Sequence, residues 1–524
     1  MSLTLPEALG AAIGNFGSRP AIYSEDTSLT WEAFGNRIAR LSQVLNDLGV
    51  RRGDRFAIIA KNSHRVDEMK WAGFWAGAVP VPVNWRLAHR EIAAVLEDCD
   101  ARLVVVDPEH LPLVQRPEYV HWQGRILVLA ERSEGTVPAV GDLIENALPR
   151  SPVACAGDDV AILFYTGGTT GRSKGVQITH GNLAINALQG GVALGPRQSD
   201  VYLHLTPMFH AAELLATPWF LTGAAHVYLP GFVPGQVLDT IERCRVTSMN
   251  IVPTMLIRLL GEPGFAQRDV SSVRTILFGS ASMTADWVAR VVRAFPEAQI
   301  CSGYGLTETA PNATMLEPEL LRAAVLEGRR PELVASVGKP LVGMSVRIAD
   351  EAGNDVARGA AGEILMKGPN VMKGYLNRPE ETAKALRDGW LHTGDFGHLD
   401  EDGNLYILDR IKDMVISGGE NVYSAEVETV LAECDDIEEA AVFGIPDEVF
   451  GEAVCAAVVV KHGASASAER FSTFCRERMA AYKVPRLFAF VDMLPRTPIG
   501  KIAKGELRAR FARRTGLVMV NKRG

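Results

Sequence analysis

Between residues 55 and 106 the chain alternates short apolar runs with helix-period segments, and this pattern restricts the fold more than any other feature. Residues 55–60, Arg-Phe-Ala-Ile-Ile-Ala, read as a buried strand. A helical pattern covers about 65–77, and the valine–proline run at 80–83 reads as a second strand. The segment Ala88-His-Arg-Glu-Ile-Ala-Ala-Val-Leu96 predicts a helix, and Leu103-Val-Val-Val106 a third strand. Apolar strands separated by helices of this length predict a parallel α/β sheet, because parallel neighbours need a long crossover connection. The alternation recurs across 200–300, where Val246–Val252 and Thr275–Phe278 read as strands. Ligands of such sheets gather at the carboxyl ends of strands.

A chain of 524 residues exceeds what one core supports, so two or more domains are expected. From 337 to 410 short apolar runs and glycine-rich turns predict a small β-rich subdomain. A smaller α+β unit of about 110 residues follows Arg410. The balance of 54 basic against 62 acidic residues gives −8, which indicates no general attraction to nucleic acid or membrane. Seven scattered cysteines without a CxxC pair predict reduced thiols in a cytoplasmic protein and argue against a zinc site. No apolar stretch approaches the roughly 20 residues of a membrane helix, and the ends carry no secretory, prenylation or peroxisomal signal.

Chemistry concentrates first in residues 165–175, Tyr-Thr-Gly-Gly-Thr-Thr-Gly-Arg-Ser-Lys-Gly. Small residues and hydroxyls around two cations can fold a concave run of amides about a phosphate chain. The apolar run Asp159–Phe164 precedes it, so a strand leads into the loop. Lys174 is followed by Gly175, which excludes the nucleoside-triphosphatase loop with its Gly-Lys-Ser/Thr ending. Four more segments follow: Gly-Tyr-Gly-Leu-Thr-Glu-Thr at 303–309, Thr393-Gly-Asp395, Asp409-Arg-Ile-Lys-Asp413, and Thr-Pro-Ile-Gly-Lys-Ile-Ala-Lys at 497–504. With these five motifs in order, the chain resembles the adenylate-forming superfamily from about residue 20 to residue 507. That group contains acyl-CoA synthetases, peptide-synthetase adenylation domains and beetle luciferases.

The resemblance implies a large N-terminal α/β domain, 1–411, and a smaller mobile C-terminal domain, 412–524, hinged at Lys412. It implies ATP-driven activation of a carboxylic acid to acyl-AMP, followed by capture on a thiol. Thr166, Gly168, Thr169, Thr170 and Gly171 would wrap the β- and γ-phosphates, with Lys174 adding charge. Gly167 and Ser173 replace the family's frequent serine and proline. Glu308 would ligate Mg²⁺, Thr307 contact the α-phosphate, and Tyr304 stack on adenine. Gly279, Ser280, Ala281, Gly303 and Ile407 complete the nucleotide set, with Asp395 on the ribose and Arg410 on ribose or phosphate. Lys501 matches the late catalytic lysine, and Lys504 reads as a solvated neighbour. Ser417, Gly418 and Gly419 would line the passage of the pantetheine arm, and Lys483 and Arg486 are basic candidates for the CoA nucleotide.

His210 lies where the family places a ring near the carboxylate, with Ala211, Gly279, Gly303 and Gly305 as small pocket residues. Short-chain synthetases carry tryptophan where Gly305 stands, which disfavours acetate. Amino-acid-activating relatives carry aspartate near His210 or Ala211; none stands there, although Glu213 is close. The expectation is a CoA ligase for a medium, long or bulky apolar acid, using ATP, Mg²⁺ and CoA, with a homodimer possible. Two alternatives remain: an enzyme loading a separate carrier protein, and a protein that holds acyl-adenylate with little turnover.

Overall fold

The computed structural model describes residues 3–520 except 24–27, 134, 167–172, 280–282, 411–412, 418–419, 448–449 and 498–500. The chain falls into two compact units, Met1–Val346 with Met366–His392, and Arg347–Leu365 with Thr393–Gly524. The β-rich stretch divides between them: 347–365 and 393–410 cluster with the C-terminal residues. Each unit has its own hydrophobic core.

In the first unit, strands Val79–Pro82, Arg55–Ile59, Ala101–Val106 and Ile126–Val128 form a parallel sheet in that order. Helices His64–Ala76 and His89–Asp98 supply crossovers, as the alternation predicts. Near-continuous valine and isoleucine runs suit strands covered on both faces, and the core includes Ala57, Ile59, Val81, Val104 and Val106. A second, nine-stranded sheet holds the parallel neighbours Val201–His204, Ser248–Ile251, Thr275–Phe278 and Gln299–Tyr304 among the described residues. Gly279 lies just past the carboxyl end of one of these strands, where ligands are expected.

The phosphate-type loop departs from that expectation. Strand Val160–Thr166 pairs antiparallel with Lys174–Thr179, which pairs antiparallel with Gly374–Tyr375. The loop is a hairpin connection between Thr166 and Lys174, which face each other across the ladder. Residues 167–173 are too few to make the crossover that parallel pairing requires. Helix His64–Ala76 is buried almost throughout, including Asp67, Glu68 and Lys70. Such a helix is normally apolar all round, so its charges need partners within the fold.

The second unit is α+β. Residues 395–399 pair antiparallel with strand Leu405–Arg410, setting Asp395 opposite Arg410. A six-stranded sheet centres on Gly451–Val460, paired with Ile437–Asp447. Side-chain alternation gives this sheet two cores: Val442, Val454 and Phe471 on one face, and Phe443, Cys455 and Phe511 on the other. Among the described residues no helix is long and apolar enough to cross a membrane.

Candidate active site

The hairpin that carries the glycine-rich loop is fixed at its base. The Tyr165 hydroxyl donates to Asp98 Oδ2 at 2.7 Å, and Arg378 donates to Oδ1 of the same carboxylate at 2.7 Å. Gly175 lies beneath the Tyr165 ring, where a Cβ would come within 3.0 Å of it. Gly168, Thr169, Thr170 and Gly171 lie outside the described residues, as do Ser280 and Ala281. Thr166 and Lys174 mark the two ends of the loop, and the Lys174 ammonium lies 5.0 Å from the centroid of the Tyr375 ring.

Glu308 sits in the single-turn helix Thr307–Thr309. Thr309 Oγ1 accepts from the Leu306 amide at 2.8 Å and closes the turn. Asn370 Nδ2 ties it down by donating to the carbonyls of Thr309 at 2.8 Å and Asn312 at 2.7 Å. The Met372 amide donates to the Glu308 carbonyl at 2.8 Å, and the Tyr375 hydroxyl donates to Glu308 Oε1 at 2.7 Å. Burial first, and the Glu308 charge second, push the Tyr375 phenol far above its ordinary range, so it stays a donor. Tyr304 and Thr307 are half-buried on the same stretch. Tyr375 and Asn370 escaped sequence reading: Tyr375 stands 67 residues from Glu308, and no motif chemistry surrounds it.

The glycines have a different cause from the one expected. A Cβ on Gly305 would meet the Pro311 carbonyl oxygen at 2.0 Å, and one on Gly303 would meet the Thr314 carbonyl oxygen at 3.2 Å. A Cβ on Gly279 would meet the Gly303 carbonyl oxygen at 3.0 Å. Close main-chain approach requires glycine at 305, so its smallness does not report a roomy acyl cavity.

His210 occupies the turn between strand Val201–His204 and the 3-10 helix Ala211–Ala216, with Ala211 buried beside it. Asn62 clamps this turn, donating to the Thr206 carbonyl at 2.8 Å and accepting from the Met208 amide at 2.9 Å. Glu213 points into a buried cluster. Its Oε1 lies 2.8 Å from His204 Nδ1 and 3.5 Å from Lys70 Nζ. Lys70 also pairs with Asp67, which accepts from the Tyr228 hydroxyl at 2.7 Å. Asp67, His204 and Glu213 offer ligand atoms within 4.8 Å of one another, as a metal site would. The Lys70 ammonium already supplies the cation: burial pulls its pKa down, but Asp67 and Glu213 outweigh that and raise it. Burial, then His204 and Lys70, hold His226 well below its ordinary range, so it stays neutral.

In the second unit, Asp395 is buried and its Oδ1 lies 3.2 Å from Arg410 Nε. The two predicted ribose residues thus meet, with Ile407 opposite Gly397 on the same strand pair. Thr393 Oγ1 donates to the Ile364 carbonyl at 2.7 Å and accepts from the Asp395 amide at 3.1 Å, which sets the carboxylate. Lys501 is exposed at the foot of a turn in which its carbonyl accepts from the Thr497 amide at 2.7 Å. Lys504 is not the solvated residue expected. It is largely buried, with Nζ 2.7 Å from Glu428 Oε1 and 2.5 Å from Ser424 Oγ. The helix Lys504–Phe511 turns it into the unit's interior, where Glu428 needs a counter-charge. Lys483 is paired with Glu426 at 2.6 Å. Ser417 is buried, while Lys412, Gly418 and Gly419 lie outside the described residues.

Comparison with known proteins places the chain in a family. The AMP-binding enzyme family matches residues 10–376, and the AMP-binding enzyme C-terminal domain matches 426–501. A feruloyl-CoA synthase of an Amycolatopsis species is 40% identical over 94% of this chain and 96% of its own. A fatty acid–[acyl-carrier-protein] ligase, ScoC of Streptomyces coeruleorubidus, is 35% identical over 94% and 93%. Among solved structures, the o-succinylbenzoate CoA synthetase of Bacillus subtilis, in complex with its acyl-adenylate, superposes with a TM-score of 0.85. It is 32% identical and covers 97% of this chain and 98% of its own.

Proposed function

For a chain that belongs to the AMP-binding enzyme family, within the adenylate-forming superfamily, we propose that these residues form a carboxylate-activating centre for a bulky, ring-bearing acid. The protein is an AMP-forming acid–CoA ligase. A carboxylate oxygen attacks the α-phosphorus of ATP, forming the acyl–phosphate bond as the bond to pyrophosphate breaks. The CoA sulfur then attacks the acyl carbon, and AMP leaves with the electrons of the carbon–oxygen bond while the thiol proton passes to water.

The carrying observation is the Tyr375 ring, which holds the Glu308 carboxylate at its hydroxyl and the Lys174 ammonium over its face. A half-buried carboxylate with one donor among the described residues fits Mg²⁺, which takes oxygen ligands and keeps several waters. When bound, the ion neutralises phosphate charge. Lys174 and Thr166 at the loop ends would steady the terminal phosphates, with Gly168, Thr169, Thr170 and Gly171 between them. Thr307 would hold the α-phosphate and Tyr304 the adenine, with Gly279, Ser280, Ala281, Gly303 and Ile407 around the nucleotide. Asp395, set by Thr393 and paired with Arg410, suits two ribose hydroxyls. Lys501 would bridge the attacking carboxylate and the α-phosphate oxygen, which is positioning and charge stabilisation rather than covalent chemistry. Lys412 would act as hinge, and Ser417, Gly418 and Gly419 would admit the thiol arm.

His210 would meet the acid. The capture of Glu213 by Lys70 and His204 supports an acid without an ammonium group. The ring preference rests on the feruloyl and o-succinylbenzoate relatives. The carrier-protein ligase favours a second reading, in which a long-chain acid passes to a carrier-borne thiol. A cytoplasmic location is proposed from the seven cysteines, all unpaired.

Pyrophosphate and AMP release with ATP, Mg²⁺ and a panel of arylpropenoic, aroylpropanoic, fatty, amino and acetic acids tests this reading. CoA-dependent AMP release greatest for the aryl acids is expected. Fastest turnover on fatty acids with a carrier protein, CoA being ignored, would establish the second reading.

A further inference from the structure

Tyr375 lies outside every motif that pointed to the site, yet it touches both Glu308 and Lys174. We propose that Tyr375 is a positioning residue that orients the metal-binding carboxylate of Glu308 and holds it in register with Lys174. The proposal rests on the reading of Glu308 as the Mg²⁺ ligand.

Three sets of contacts carry it. The hydroxyl, 2.7 Å from Oε1, is the only donor to the Glu308 carboxylate among the described residues, so it restricts the rotation of that group. The same segment holds the main chain, through the Met372 amide on the Glu308 carbonyl at 2.8 Å. Glu308 is thus gripped at carbonyl and carboxylate from one short run of residues.

Tyr375 is itself tightly placed. Its amide donates to Thr382 Oγ1 at 2.9 Å, and it pairs with Val176, two residues from Lys174. Gly374 has φ +147°, and a Cβ there would meet Thr382 Cγ2 at 2.8 Å, so only glycine lets the chain bring the ring to this position. Finally, the Lys174 ammonium sits 5.0 Å from the ring centroid. One rigid aromatic therefore sets the spacing between the group that meets metal and the group that meets phosphate. Partners that orient a metal ligand typically govern about 10–100-fold in metal affinity.

The test uses the full-length enzyme, with Mn²⁺ as the probe and a non-hydrolysable ATP analogue present, followed by electron paramagnetic resonance. In Tyr375→Phe, Mn²⁺ affinity is expected to fall about 10–100-fold. The Mg²⁺ concentration for half-maximal pyrophosphate release should rise by the same factor, with kcat at saturating Mg²⁺ within about threefold of wild type. Replacing Tyr375 by 4-aminophenylalanine, which keeps ring and donor, is expected to restore Mn²⁺ binding. Tyr375→Leu, which also removes the ring, should raise the KM for ATP in addition. Glu308→Gln separates the two claims. If it leaves Mn²⁺ binding intact, the reading of Glu308 fails. If it abolishes binding while Tyr375→Phe binds as wild type, or if 4-aminophenylalanine does not rescue, the positioning role is overturned. A Tyr375→Phe protein with a lowered Tm but unchanged metal dependence would mark a packing residue only.

Discussion

The cluster around Lys70 and the group around Glu308 are built from the same side chains, a lysine, carboxylates and a tyrosine, in one compact unit. Around Lys70 each formal charge meets an internal partner: Asp67 and Glu213 share the ammonium, His204 lies against the same Glu213 oxygen, and Tyr228 donates to the second Asp67 oxygen. All of these residues are buried except Tyr228, which is half-buried. Around Glu308 the carboxylate has a single donor among the described residues, and the nearby ammonium faces a ring rather than an anion. Both residues are half-exposed. Desolvated charges persist only when paired, so the first arrangement is complete without a ligand. The second leaves charge for one. A metal-like ligand set is therefore a poor guide to function when the fold provides its own cation, and a less dense set is a better one when it does not.

Removing the Lys70 ammonium should break the closed region most severely. Lys70→Ala strands two buried carboxylates and is expected to cost about 3–5 kcal/mol of stability in urea unfolding. The folded protein should keep the wild-type Mg²⁺ requirement. A change below about 1 kcal/mol would show that the cluster is not the closed ionic system described.

Lys501→Ala probes the opposite kind of lysine, an exposed one. Adenylation should slow about 10²–10³-fold, as for loss of one transition-state donor, equivalent to about 3–4 kcal/mol. Thioester formation from pre-made acyl-adenylate and the Tm should stay near wild type. Near-normal adenylation would remove Lys501 from the site.

Acid should strain the closed interior next. Burial first lowers the His180 pKa from 6.5 to about 4, and His226 is held well below its ordinary value for the same reason. Below pH 6.5 the unfolded chain takes up protons that these folded imidazoles refuse, so stability falls as pH drops and is flat above. The His180 contribution grows to about 3 kcal/mol by pH 4. Chemical unfolding followed against pH should show this slope, and His180→Gln should flatten it. An unchanged slope in that variant would mean His180 titrates normally.

The smallest effect is expected at Lys504, three residues from Lys501. Lys504→Met loses the ion pair with Glu428 but keeps the apolar stem, and should cost about 1–2 kcal/mol of stability. Adenylation rates should be unchanged. A large catalytic loss without destabilisation would exchange the roles of the two lysines.

Much of the plan was legible residue by residue. The apolar runs at 55–60 and 103–106 and the helices between them appear where expected, because strand and helix periods are local properties. Glu308, Asp395, Arg410 and Lys501 stand on a single-turn helix, a strand pair and a turn that hold them in defined positions. The misreadings share a cause. Lys504 was taken for a solvated residue because its partner Glu428 lies 76 residues earlier. Gly305 was read through its missing side chain, whereas the Pro311 carbonyl behind it decides the matter.

What the sequence determined by itself is the alternation that makes parallel sheets and the five contiguous motifs that fix family and reaction. Each is written within a few residues, where spacing along the backbone already sets which groups share a face. Only the tertiary structure decided that Tyr375 joins Glu308 to Lys174, that Lys70 closes the metal-like triad, and that Lys504 serves packing while Lys501 stays exposed. Those outcomes depend on contacts between segments distant in sequence. In a low-dielectric interior, the pairing such contacts impose determines whether a charge is structural or available to a ligand.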